Sequence, residues 1–317
     1  MKVLVTGGSG FIGSYLCQEL EGNGHKVFNV DIVPPVINGR TKWFECSVLD
    51  KLVLENAVNT IQPEFIFHLA ARADVFGKKI EDYRVNIEGT KNILLSCNGM
   101  NSLKHVVIVS TQLVVSPHYK AAFDSDYCPL DELYSRSKVE AEEIVRRNEY
   151  SFNWTIVRPT NIWGAGHPRF PDQIWKYIRK GWYFHSSKDV IRSYGYVENV
   201  AHQMSRIMDV PLEKVKGKTF YLGDEPIFSS EWVNGFSIAL RGKEVKRFPD
   251  ILLKTLAFLG EILKKCGLPS PIYMDRYRSM TSEYVVPMDE TLSVLGSGHY
   301  SLHEGIMKTV SWLEHRI

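Results

Sequence analysis

The sequence predicts an α/β protein: a doubly wound parallel sheet followed by a smaller C-terminal α/β part. Three observations predict it. Short β-branched apolar runs alternate with segments of helical periodicity, the rhythm of right-handed βαβ units. The first run breaks into a cluster of glycines, and the second ends on an acid.

Residues 2–6 (KVLVT) read as a buried strand, followed by Gly7, Gly8, Gly10 and Gly13, with apolar residues at helical spacing from Phe11. A strand, a glycine turn and a helix start make a phosphate cradle, because the backbone can come close and the helix N-terminus offers free N–H groups. Residues 26–30 (KVFNV) form the next strand. Asp31 ends it, eighteen residues past Gly13, where an acid hydrogen-bonds an adenosine ribose diol. A 2′-phosphate would meet a like charge there, so NAD is expected rather than NADP. Further strands are expected over 43–48, 64–69, 105–110 and 154–158, the last stopped by Pro159. Helices are expected from the end of the 43–48 strand to about 60, over 81–96 and over 132–148. Beyond Asn161 aromatics and prolines increase and strands thin out, which marks a second part. The expected division is 1–160 plus about 190–225 for the dinucleotide-binding domain, and about 161–189 and 226–317 for the substrate-binding domain.

With 317 residues, 44% hydrophobic, 23% charged and a net charge of +2, the chain has no electrostatic case for nucleic acid. Its five cysteines are scattered and lack a CxxC, which suits reduced thiols in the cytoplasm. With the first strand beginning at residue 2, no signal peptide is expected. The most apolar stretch, 251–263, contains Lys254 and Glu261, so no transmembrane segment is expected.

Tyr134 and Lys138 stand four residues apart in the helix after the fifth strand, on one helical face. An ammonium beside a phenol favours the phenolate. The other reading of such a pair is a solvated helix face. Its place, one helix after a strand ending in Ser110-Thr111, argues for chemistry, since ligands sit at the carboxyl ends of strands in open α/β sheets.

Taken together these motifs resemble the extended short-chain dehydrogenase/reductases of the nucleotide-sugar epimerase group. The matching pieces are Thr6-Gly7-x-x-Gly10-x-x-Gly13, Asp31, His68-Leu69-Ala70-Ala71, Asn86, Ser110-Thr111, Tyr134-x-x-x-Lys138, Arg158-Pro159-Thr160-Asn161, Arg192 and Arg278. The resemblance implies a Rossmann sheet with NAD against Gly7, Gly10, Phe11, Ile12, Gly13, Asp31, Ser47, Val48, Leu69, Ala70, Ala71, Asn86, Ser110, Tyr134, Lys138 and Arg158. It implies Tyr134 as acid/base, Lys138 as its electrostatic partner, and Thr111 as hydrogen-bond partner of the reacting hydroxyl. It places a nucleotide-diphosphate sugar against Thr111, Asn161, Arg192 and Arg278, since a diphosphate calls for forked cationic donors. His185, in an aromatic run, is a further substrate contact, with a wall of the core as the other reading. Arg158 has a structural reading beside the ribose one, and Arg278 a solvent one.

The chain departs from the family pattern too. Gln112-Leu113 follows the threonine where dehydratases carry an acid pair, so water elimination lacks its proton handlers. Ser47 replaces the acid of the usual adenine-contacting turn. His68 reads as a core residue, and His167, His185 and His202 show no metal-ligand spacing, so no metal is expected. The expected activity is NAD-dependent C4 epimerisation of a nucleotide sugar. The alternatives are a keto-sugar reductase or hydroxysteroid-type dehydrogenase, and a non-catalytic dinucleotide sensor. A homodimer through the helices around Lys91 and Val139 is expected from the family habit.

Overall fold

The computed structural model describes residues 1–35, 39–117, 119, 121–130, 132–147, 149–268, 270 and 272–315. Asn148, the expected end of the fourth helix, lies outside them. In chain order the elements are β1 (Lys2–Thr6), α1 (Phe11–Gly22), β2 (Lys26–Asp31), β3 (Lys42–Glu45), α2 (Lys51–Ile61), β4 (Phe65–His68), α3 (Arg84–Cys97), β5 (His105–Val109), α4 (Leu133–Arg147), β6 (Asn153–Pro159) and β7 (Asn161–Trp163). They continue with α5 (Ile174–Lys180), β8 (Phe184–Ser186), β9 (Ile191–Arg192), β10 (Tyr194–Tyr196), α6 (Val197–Arg206), β11 (Thr219–Leu222), β12 (Ile227–Phe228) and α7 (Ser229–Arg241). The last are β13 (Lys246–Phe248), α8 (Asp250–Lys265), α9 (Met274–Thr281), α10 (Asp289–Leu295) and α11 (Leu302–Glu314).

The chain divides into two compact units. The first comprises Met1–Ile162, Val197–Asp224 and Pro287–His299. Its seven-stranded parallel sheet has the order β11-β6-β5-β4-β1-β2-β3. The order reverses at β1, and right-handed crossovers running outward both ways put their helices on opposite faces. One group is α2, α3 and α4, whose Leu54, Val58, Ile93, Leu94 and Val145 close a core on Leu4, Ile66, Val106, Ile108 and Ile156. These alternate along their strands, as one face of a sheet must. The neighbouring strand residues Val3, Val5, Phe67, Val107 and Val157 are buried on the other face, so the strands read as continuous apolar runs.

Within this sheet, β11 is the strand sequence reasoning missed. Its TFYL run is four residues long and looks like a fragment until it pairs with β6, from Thr219↔Ile156 to Leu222↔Pro159. Pro159 is the last residue of β6 rather than a stop before its end. Residues 287–299, expected in the C-terminal part, cluster instead with the sheet, where Thr291 Oγ1 donates to the Tyr221 carbonyl at 2.6 Å.

The second unit comprises Trp163–Tyr196, Glu225–Val286 and Tyr300–Ile317. The aromatics that loosened the sequence pattern build its core: Trp163 and Trp175 both meet Phe236, and Trp232 packs edge-on to Trp163 at 6.0 Å. Among the described residues its sheets are small, β8 pairing parallel with β13 and β9 antiparallel with β12.

Candidate active site

The glycine turn after β1 is a place where side chains cannot go. A Cβ on Gly7, whose φ is +73°, would lie 2.6 Å from the Ala70 nitrogen, and one on Gly13 would lie 2.2 Å from the Gly7 carbonyl oxygen. The turn is held from outside by Asn29, buried in β2, whose side-chain oxygen accepts from the Gly8 N–H at 2.9 Å. Gly10 is the N-cap of α1 and offers no side-chain cap, and no acid occupies the first turn, where Phe11 and Ile12 lie. The N-terminal N–H groups and the positive end of the helix dipole are therefore suited to an anion.

Asp31 ends β2 beside this turn, its carboxylate accepting from the backbone of Ser9 at 3.0 Å and Val33 at 3.3 Å. The β4 end supplies the other wall: the backbone of Leu69 and Ala70 donates to Thr6, and His68 bridges Thr6 and Thr90. Burial pushes His68 down to about 3, with the charge of Lys138 acting the same way, so it is a neutral core residue. Ala71 follows in the same loop. Ser47 caps its own turn by accepting from Leu49 N–H, and the Val48 carbonyl accepts from Asn92.

The Tyr134–Lys138 pair does not lie on a solvated face. The buried residues of α4 include Tyr134, Lys138, Ala141, Glu142 and Val145, a stripe at helical spacing. Lys138 Nζ donates to the Val109 carbonyl at 2.9 Å, which ties the helix to the carboxyl end of β5. Burial pushes the Lys138 ammonium down to about 8, against an opposite pull from Glu142. Thr111 stands just past β5, almost fully buried, its hydroxyl accepting from Leu113 N–H at 3.3 Å. Ser110 beside it is buried, and its hydroxyl has no partner among the described residues. Asn86 on α3 donates to Ser137 Oγ at 2.9 Å and to the Arg72 carbonyl, and accepts from Arg72 N–H. Asn86 thus locks the loop after β4 to the helix that carries Tyr134.

Arg158, expected at the cofactor, is engaged elsewhere. Its fork holds Glu142 through both oxygens at 2.9 and 2.8 Å and also reaches Tyr221 and the Asp124 carbonyl. Its side chain is 1% exposed, so the structural reading replaces the ribose one. Sequence reasoning missed its partner Glu142, although Glu142 sits eight residues past Tyr134 on the same stripe, where a polar residue needs a buried partner.

The remaining expected residues fall into both units. Asn161 is half-buried at the start of β7 in the first. In the second, His185 is 1% exposed and held by Ser229 at 3.3 Å and Asp189 at 3.5 Å, so it is a wall of that unit's core and not a free contact. Arg192 Nη1 donates to the Ser279 carbonyl, while its buried Nε has no hydrogen-bond partner among the described residues. Arg278 is 70% exposed beside Asp275, the solvent reading. Among the described residues Glu19, His202 and His299 form a group whose ligand atoms lie within 4.8 Å of one another. Spacing concealed it, because the three come from α1, α6 and the segment after α10. His202 pairs with Glu19 at 2.9 Å.

A glycine cradle at an uncapped helix start, with an acid ending the second strand at a sheet switch point, defines a dinucleotide-binding protein. The comparisons are more specific. Residues 3–223 match the model of the NAD dependent epimerase/dehydratase family, and the chain belongs to it. It is 27% identical, over 84% of its length and 83% of the relative's, to a 2-alkyl-3-oxoalkanoate reductase of Stenotrophomonas maltophilia (strain K279a). It is 26% identical, over 98% of both chains, to a 3 beta-hydroxysteroid dehydrogenase/Delta 5-->4-isomerase of Vaccinia virus (strain Western Reserve). Among solved structures, a UDP-glucuronic acid 4-epimerase from Bacillus cereus, in complex with UDP-glucuronic acid and NAD, superposes with a TM-score of 0.76 at 19% identity over the whole of both chains. The cofactor is NAD, and the glycine turn fits its pyrophosphate as Asp31 fits its ribose diol. No helix of the described residues is long and apolar enough to cross a membrane.

Proposed function

We propose that this protein is an NAD-dependent epimerase of a nucleotide-diphosphate sugar, acting at a secondary hydroxyl such as C4. The observation that carries the reading is the buried Tyr134–Lys138 stripe fixed to the end of β5. Gly7, Gly10, Gly13 and the start of α1 hold the pyrophosphate, and Asp31 the adenosine ribose. When bound, NAD supplies a hydride acceptor, and afterwards a donor, for the carbon that carries the hydroxyl. Tyr134 removes the hydroxyl proton and later returns it. Lys138 stands one helical turn on and places a cation beside the phenol, which favours its ionised form. Thr111 orients the same hydroxyl from the β5 end, and Asn86 positions α4 through Ser137. The buried, unpartnered Arg192 Nε supports an anionic substrate, because an orphaned guanidinium N–H is costly without an acceptor.

A second reading, a dehydrogenase or reductase of an apolar hydroxy or keto compound, is favoured by the names of the relatives at 26–27% identity. The two differ in cofactor economy. UDP-, GDP- and CDP-sugars incubated with enzyme and no added cofactor, then separated by chromatography, give a new sugar-nucleotide peak if the first reading holds. Turnover only with added NAD(H), and only on a hydroxysteroid or 3-oxo acid, replaces it with the second.

A further inference from the structure

Helix α8 is apolar on the wrong side for a globular protein. Its buried residues, Leu253, Ala257 and Gly260, recur at helical spacing and pack its inner stripe on Tyr277, Ile272 and Met280. At Gly260 the contact is so close that a Cβ would lie 2.0 Å from the Ile272 carbonyl oxygen. Facing away from that stripe are Ile251 (77% exposed), Leu252, Leu256, Phe258 (60% exposed), Leu259, Ile262 and Leu263, with Leu268 just beyond. At 100° per residue they cover roughly 160° of the circumference, along a helix about 24 Å long. Scattered exposed apolar residues are normal; a contiguous stripe of this size marks a docking surface.

The border of the stripe says what it meets. Lys254 and Lys265 flank it on one edge, and no ion pair engages either among the described residues. Residues 243–265 carry six basic and three acidic side chains. One of the acids, Asp250, is turned inward to Ser186 at 2.8 Å and Tyr277 at 2.9 Å. A second copy packed here antiparallel, about a two-fold axis across the helix, would bring these lysines against their own like charges. An anionic lipid headgroup layer complements them, while the leucines and Phe258 enter the acyl boundary. The helix carries charge and is too short to span.

We propose that α8 lies in the surface of an anionic membrane, with its outer apolar stripe buried and Lys254 and Lys265 at the headgroups. This is independent of the reaction proposed above, since it uses none of the residues assigned to it.

The test is flotation of the full chain with phosphatidylcholine vesicles, with and without phosphatidylglycerol. The wild type should float with the anionic vesicles, less with the neutral ones, and less as salt rises. Phe258→Asp with Leu259→Asp should lower the bound fraction at least about tenfold, the loss of two inserted side chains. Lys254→Glu with Lys265→Glu should remove the preference for anionic lipid. All four positions are outside the core, so unfolding profiles should match the wild type. The proposal is overturned if the wild type stays with the soluble fraction on anionic vesicles, or if the variants bind as it does. It is also overturned if the aspartate pair halves the mass measured by light scattering without lipid, which would assign the stripe to a second copy.

Discussion

Lys138 gives the sharpest test of the site's electrostatics. Its ammonium is buried, and burial lowers it from the ordinary 10.5 to about 8. At 1.36 kcal/mol per unit, carrying that charge at neutral pH costs the folded state about 3 kcal/mol. A lysine whose folded value lies below its unfolded one binds fewer protons when native. Stability therefore rises with pH between about 8 and 10.5. From about pH 7 to 9.5 the gain is roughly 2 kcal/mol, and it belongs to this one side chain. Lys138→Met removes the titration and leaves the Val109 carbonyl without its donor, a loss of about 1–3 kcal/mol that does not vary with pH. Urea unfolding of both proteins without added cofactor, at the two pH values, isolates the difference. The wild type should gain about 2 kcal/mol on the variant as pH rises. Parallel profiles would show that Lys138 titrates normally in the fold, and the account of a cation held at a cost beside Tyr134 would fail.

Other outcomes follow from the same geometry. Glu142→Gln leaves the Arg158 guanidinium buried without its counter-charge and should cost about 3–5 kcal/mol in denaturant unfolding. Glu142→Leu with Arg158→Met should recover most of that, whereas an equal loss in the double variant would argue against a buried pair. Asp31 should hold NAD at least about tenfold more tightly than NADP, about 1.4 kcal/mol, read by fluorescence titration; Asp31→Asn should narrow the gap, and equal curves for the wild type would refute the assignment. Tyr134→Phe should lower turnover by roughly 10²–10⁴-fold while NAD binding is retained, and more than about a tenth of the activity remaining would send the proton through another group.

What was legible in the sequence was whatever local chemistry dictates. Strands buried on both faces announce themselves as apolar runs, and the glycine turn is legible because Gly7 and Gly13 have no room for a Cβ. Residues that answer to distant partners were not legible. Glu142 and Arg158 are sixteen positions apart and meet only when α4 packs beside β6. His185 reads like a pocket residue in an aromatic run until Asp189 and Ser229 hold it in the core. The short β11 becomes a strand only through β6, and Glu19, His202 and His299 gather from three separate segments. The stretch 251–263 in α8 was read only as too charged to cross a membrane, since periodicity does not say which side of a helix is covered.

The central claim is that the hydride leaves and returns to one carbon while Tyr134 moves the proton, with no water eliminated. A nucleotide sugar carrying deuterium at C4, chosen from those that turn over without added cofactor, tests it directly by NMR and mass spectrometry of the product. The account predicts a C4-epimeric product that keeps the label, with no solvent deuterium at C5 or C6, because Gln112 and Leu113 stand where elimination would need acids. Label released into free reduced cofactor beside a stable keto product, or a 4-keto-6-deoxy sugar, would contradict it.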